Sequence, residues 1–259
     1  MVSKKLEDEF KRFQLDTEDI VIETADMLKR RYDDNMDKVV DIIALWWINN
    51  DIKSLTDAQS NMSKLTSELD GVLDPANEKL IEDMTELFAE VYASNYEWAK
   101  GALEIENDTS KDDALLMFAL LGLASIPWTE DNLTYSQRMI LRNEQLKNEL
   151  KSIVQKASVM KLSTKKLLDM VREEMGKQKY RGTNVLVDES NHFANEAVRQ
   201  LAIEKYGGYE ISEVLDMKTC DYCRTMHGKR YLWSEYEVGL TAPMFHNSCR
   251  GRIIPINKL

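Results

Sequence analysis

Two short stretches near the C-terminus hold all three cysteines of the chain and two of its three histidines. The first reads Asp216-Met-Lys-Thr-Cys220-Asp-Tyr-Cys223-Arg-Thr-Met-His227-Gly228, and the second Ala242-Pro243-Met-Phe-His246-Asn-Ser-Cys249-Arg250. The pattern is Cys-x2-Cys, an interval, then His-x2-Cys. Residues three apart on a tight turn can supply two vertices of a tetrahedron, and two such turns together make a closed Cys₃His site of the kind that holds structural zinc. Cys220, Cys223, His246 and Cys249 are therefore the candidate metal ligands. Four protein donors leave no open position for a catalytic water, so the metal, zinc, is expected to be structural. Reduced thiols packed without metal, and a redox pair of Cys220 with Cys223, are the competing readings. The surroundings show no βαβ pattern of the thioredoxin type. His227 is a substitute for His246 as ligand, although its place beside Gly228 suits a turn residue better. His192 reads as an ordinary polar or capping contact within a helix. Gly228 and Pro243 are expected to shape the turns that bring the two knuckles together.

The elements that must position these residues fall into two textures. Up to about residue 206 the apolar residues recur at helical spacing. Helical stretches are predicted over Lys4–Arg31, Met36–Asn50, Leu55–Leu69, Glu78–Leu103, Asp113–Ile126, Tyr135–Lys156, Lys165–Lys177 and Asp188–Tyr206. Asp74-Pro75 serves as a start signal for the fourth and Ser163 or Thr164 as a cap for the seventh. The adjacent Trp46 and Trp47 read as core. After Gly207-Gly208 the texture changes, and Tyr209–Met217, Gly228–Trp233 and Arg252–Ile256 are short β-branched or aromatic runs between turns. The fold class expected is mainly α: an elongated helical N-terminal region followed by a small α+β zinc-binding C-terminal domain. The expected divisions are an acidic helical region over 1–127, a helical segment over 128–182 and the small α+β domain over 183–259.

Composition narrows the function. Among residues 1–130 there are 13 Lys and Arg against 29 Asp and Glu, a net of −16; residues 131–259 carry the other 21 and 16, a net of +5, which together give −11. An acidic half of that strength repels phosphate backbones, so DNA wrapping by the whole surface is not expected. Arg224, Lys229, Arg230, Arg250 and Arg252, with Tyr222 and Trp233 as stacking residues, leave open a nucleic-acid-binding zinc module. The Lys156–Lys166 and Lys177–Arg181 stretches are further candidates for such contact, or else solvated helix faces. The longest nearly uncharged apolar run, Ala114–Trp128, is too short to span a bilayer, and the charged N-terminus has no signal-peptide character. A protein without membrane contact, made in a cytoplasm, is expected. No second histidine or carboxylate pair completes a nuclease-like site around His246 and Asn247, so no catalytic residues are predicted.

The cysteine motif resembles the C-terminal domain of Mu F-like phage minor head proteins. The resemblance is carried by Asp216, Lys218, Thr219, Cys220, Cys223, His227, Gly228, Lys229, Pro243, His246, Cys249 and Arg250. Upstream, Trp128, Tyr135, Ser136, Arg138 and Met139 are similar to the family's aromatic-Ser-x-Arg segment that opens a long helix. The stretch Leu186–Ala197 resembles a later helix, with Ser190 and Asn191 departing from the usual wording. The likeness covers about residues 128–256, and the first 127 residues carry none of it. Ala242-Pro243 replaces the usual Pro-Pro, and Cys249-Arg250-Gly251 replaces Cys-Arg-Cys. The resemblance implies a bacteriophage virion component, located at the portal vertex of the head and synthesised in the host bacterial cytoplasm. Its implied role is head assembly or genome delivery. Its implied partners are the portal protein and the major capsid or scaffolding protein, with weak contact to packaged DNA allowed.

Overall fold

In a computed structural model, which describes residues 4–50, 52 and 54–257, the chain is mainly helical with a three-stranded sheet near the C-terminus. Helix α1 spans Lys4–Asn49, α2 Leu55–Ser60, α3 Met62–Ala102, α4 Lys111–Leu120, α5 Tyr135–Val159, α6 Thr164–Ala202 and α7 Asp221–Met226. The strands are β1 Gly208–Ser212, β2 Arg230–Leu232 and β3 Arg252–Ile256.

Two pairs of expected helices are single helices in the structure. A third pair is joined only from Met62 onward, because the expected Leu55–Leu69 helix breaks at Asn61, the C-cap between α2 and α3. The stretch joining Lys4–Arg31 to Met36–Asn50 is polar but holds neither glycine nor proline, so nothing stops α1 there. Pro75 lies inside α3. It deprives one carbonyl of its partner, at a cost of about 3 kcal/mol. The buried row Leu65, Leu69, Leu73, Leu80, Met84 and Phe88 continues across it, and burial of that face outweighs the local penalty. Helix α6 is capped by Ser163, whose Oγ accepts from Lys166 N at 3.3 Å, and it runs unbroken through both expected helices of that region. By contrast α4 is shorter than predicted. Gly122, at φ 60°, turns the chain left-handed, and only a 3-10 turn at Leu123–Ser125 follows.

The chain divides into two units, each assembled from separated segments. One comprises residues 25–83 and 135–183. Its core is built from Val39, Ile43, Trp46 and Trp47 of α1, Leu65 and Leu69 of α3, Leu150 and Val154 of α5, and Leu167 and Val171 of α6. Trp46 also donates its indole N–H to Asn61 O at 3.1 Å. Lys147, almost buried, is held by Asp70, Asp74 and Glu144, and these carboxylates keep its ammonium charged despite desolvation.

The other unit comprises residues 1–24, 84–134 and 184–259. Its aromatic core joins Phe88, Tyr92, Phe118 and Phe193, with neighbouring centroids 5.1–5.6 Å apart. The sheet has order β2-β1-β3 and is antiparallel throughout. In β3 all five residues are buried, and Pro255 sits opposite Tyr209 on this edge strand, where a missing N–H costs no ladder bond.

Candidate metal centre

The first knuckle is built on the start of α7. Cys220 is its N-cap, in extended conformation, and its Sγ accepts from the Cys223 backbone N–H at 3.4 Å. This cap turns both thiols to the same side, with Cys223 buried and Cys220 toward solvent. The approach to the knuckle is a tight turn around Asp216, whose Oδ1 accepts from Lys218 N at 2.8 Å and from Thr219 Oγ1 at 3.1 Å. After α7, Gly228 adopts φ 78° and reverses the chain into β2, donating its N–H to Ile211 O.

The second knuckle closes by a bond from Cys249 N to His246 O at 3.1 Å, with Ser248 between them in the left-handed region at φ 59°. That strained turn is held from α6. Asp188 Oδ1 accepts from Ser248 N at 2.5 Å, and Asn191 donates to Cys249 O at 3.0 Å. One turn further, Asn195 donates to Gly251 O and accepts from Ile253 N, both at 3.1 Å. Polar residues on a buried helix face thus fix the backbone that carries Cys249. Arg250 then ties this knuckle to the first through a two-pronged pair with Asp216, at 3.0 and 2.5 Å. The guanidinium holds the Asp216 carboxyl well below the usual carboxylate range.

The thiols and imidazole meet as a cluster. His246 Nε2 lies 3.0 Å from Cys223 Sγ and 3.2 Å from Cys220 Sγ. Cys223 Sγ lies 3.8 Å from Cys249 Sγ, far beyond the roughly 2.05 Å of a disulfide. His246 Nδ1 faces Asn247 O at 2.8 Å, which assigns the proton to Nδ1 and leaves Nε2 as the lone-pair donor facing the sulfurs. Cys220, Cys223, His246 and Cys249 could hold a metal ion. Burial pushes the Cys223 and Cys249 thiols up from their ordinary value, and each is raised further by the nearby Glu213 charge. A divalent cation reverses that balance by stabilising the thiolates directly.

Glu213 was not among the residues singled out from the sequence, yet it belongs to the cluster. One of its carboxylate oxygens and the sulfurs of Cys223 and Cys249 all lie within 4.8 Å of one another, as do the donor atoms of Cys220, Cys223 and His246. Cys223 is common to both groups. Burial pushes the Glu213 carboxyl up to about 7, against the opposing effects of a hydrogen bond with Cys223 and the charges of Arg250 and Arg252. A lone Glu in a strand-end segment carries no spacing signal, so only the fold could reveal it.

His227 stands outside the cluster. Its Nδ1 accepts from Glu213 N at 3.0 Å, which anchors the backbone beside the carboxylate, and burial lowers its basicity. His192 stacks on Trp128 at 4.5 Å between centroids. Pro243 is buried against Gly251. Among the described residues no helix is long and apolar enough to cross a membrane. The chain matches no family model, no curated protein and no solved structure.

Proposed function

We propose that the chain is a minor structural protein of a tailed-phage head, associated with the portal vertex and assisting head assembly or genome delivery. In this reading it has no catalytic role, and a structural zinc ion closes the Cys220, Cys223, His246 and Cys249 cluster. The observation that carries the reading is the convergence of both motif knuckles on the Cys223 sulfur. Zinc–sulfur bonds of about 2.3 Å at tetrahedral angles place two sulfurs about 3.8 Å apart. The Cys223–Cys249 separation of 3.8 Å suits that edge. The donor set itself, three thiols and an imidazole with its second nitrogen engaged, is the set zinc prefers. The motif's other residues have parts that fit the same reading. Asp216 and Arg250 bind the knuckles to each other, and Gly228 makes the turn between α7 and β2.

The use of the basic residues supports protein contact over DNA contact. Arg224 donates to the carbonyls of Thr219 and Asp216, Arg230 pairs with Glu210, Arg250 pairs with Asp216, and Arg252 is buried. Tyr222 packs edge-on against Phe245, and Trp233 packs on Tyr209 while donating to Tyr206 O. Groups engaged in this way offer few free charges to a phosphate backbone.

The test has two arms. Elemental mass spectrometry of the purified full chain is expected to give about one zinc per molecule, lost in Cys249→Ala. Co-expression with the portal protein of the same phage is expected to give a complex that survives size exclusion. Zinc without portal binding would overturn the head assignment and leave the metal centre standing. Zinc-free reduced protein would overturn the metal centre.

A further inference from the structure

We propose that Glu213 is a reserve metal ligand, exchanging with His246 on an ion anchored by the buried Cys223 and Cys249. The inference rests on the metal-centre reading above and adds a donor that the cysteine motif does not contain.

The geometry supplies two overlapping three-donor groups that share Cys223. Cys220 and His246 complete one on the solvent side, and Glu213 and Cys249 complete the other in the interior. Glu213 is 2% exposed, and its Oε1 has no hydrogen-bond partner in the structure. A buried carboxylate oxygen without a donor is costly, and ligation by a cation is one of the few ways to satisfy it. The residue is held in place for that role. Its backbone N–H is fixed on His227 Nδ1, and the space for its carboxylate exists because residue 251 is glycine, where a Cβ would come within 2.5 Å of Oε1.

Nearby cations reduce the charge cost of the exchange. Replacing a neutral imidazole by a carboxylate adds one negative charge to a site that already carries thiolates. Arg250 and Arg252 both act on Glu213 and offset it, and Arg252 keeps one guanidinium nitrogen buried and unpartnered beside β1, where Ser212 is its register partner. Zinc takes carboxylate oxygens, at about 2.0–2.2 Å, as well as imidazole nitrogens. His246 is the donor most easily displaced, since it is exposed and its turn lies at the solvent edge. An ion that can pass inward to Glu213 stays bound when the outer arm opens.

The experiment measures zinc affinity of the full chain by competition with a chromophoric chelator. The proteins are wild type, His246→Ala, Glu213→Gln and the double variant, each checked for helix content by circular dichroism. Expected is that His246→Ala still binds one zinc, weakened about 10–100-fold, and that adding Glu213→Gln weakens it at least about tenfold more. Glu213→Gln alone is expected to change affinity much less, so the two effects are not additive. Cobalt loaded into His246→Ala, where it reports ligand type by its visible absorption, is expected to change spectrum when Glu213 is also replaced. Equal affinities and spectra for His246→Ala and the double variant would overturn the reserve-ligand role, and so would complete loss of metal from His246→Ala alone. A wild-type chain that binds no zinc would instead overturn the metal centre itself. Should the double variant fail to fold, X-ray absorption of zinc-loaded His246→Ala decides alone. An oxygen beside the sulfurs that disappears in His246→Ala/Glu213→Asp supports the role, and an unchanged shell overturns it.

Discussion

Gly251 shows how a single position sets the shape of the site. A Cβ built there would meet Glu213 Oε1 at 2.5 Å and the Pro243 ring at 2.9 and 3.0 Å. The ring is fixed by its own backbone and the carboxylate lies in a closed space, so neither can move away cheaply. Gly251→Ala is therefore expected to cost about 1–3 kcal/mol, as overpacking does in a well-filled core. Urea unfolding of the full chain measures it, and a variant as stable as wild type would show that Glu213 has room to retreat. Spacing made Cys220, Cys223, His246 and Cys249 legible in the sequence, because turn-forming ligand pairs leave a fixed interval. Nothing comparable marks Glu213, whose neighbours in space are 10 or more positions away in the chain. The glycine at 251 leaves the space that the Glu213 carboxylate occupies.

At the scale of elements, local pattern located the helices well and their ends poorly. Periodicity reports which face is buried, and that face persisted through Tyr32–Asn35, Pro75 and the 178–187 stretch, where polar residues or a proline suggested breaks. The strands were legible by composition, although β1 stops at Ser212 because Glu213 leaves the ladder to join the thiols. What sequence could not disclose is the clamp between α6 and the second knuckle. Asp188, Asn191 and Asn195 look like ordinary helix polars until their partners, some 60 positions on, are known. Asn195 satisfies one buried carbonyl and one buried N–H at once. Asn195→Leu, similar in size and unable to do either, strands both groups and is expected to cost about 3 kcal/mol. It should also weaken zinc retention, because Gly251 and Ile253 fix the backbone immediately after Cys249. Loss of stability with unchanged metal affinity would place the clamp on the sheet alone.

Across the whole molecule, the residues that support the C-terminal cluster are drawn from both ends of the chain. Contiguous divisions, such as those at 127 and 182, are the natural expectation from sequence, because sequence registers local texture and not which distant segments meet. Yet residues 1–24 belong to the same unit as 184–259. Gln14 donates to the carbonyl of Arg250, directly after the ligand Cys249, and Glu18 lies 3.8 Å from the same arginine's guanidinium. Glu7 approaches His227, which anchors Glu213. The N-terminal part of α1 is in turn seated by aromatic packing. Trp98 lies flat on Phe13 at 4.4 Å and edge-on to Phe10 at 4.6 Å. Phe10→Ala removes a ring that is 3% exposed, at an expected cost of about 3–5 kcal/mol. If α1 helps to hold the second knuckle, that substitution, more than 200 positions from the ligands, lowers the temperature at which zinc is released as well as that at which the helices melt. Following both in one thermal scan, with a zinc-sensitive dye and circular dichroism, tests this. Release at the wild-type temperature from a destabilised Phe10→Ala chain would mean that the metal centre holds its knuckles without the N-terminal helix.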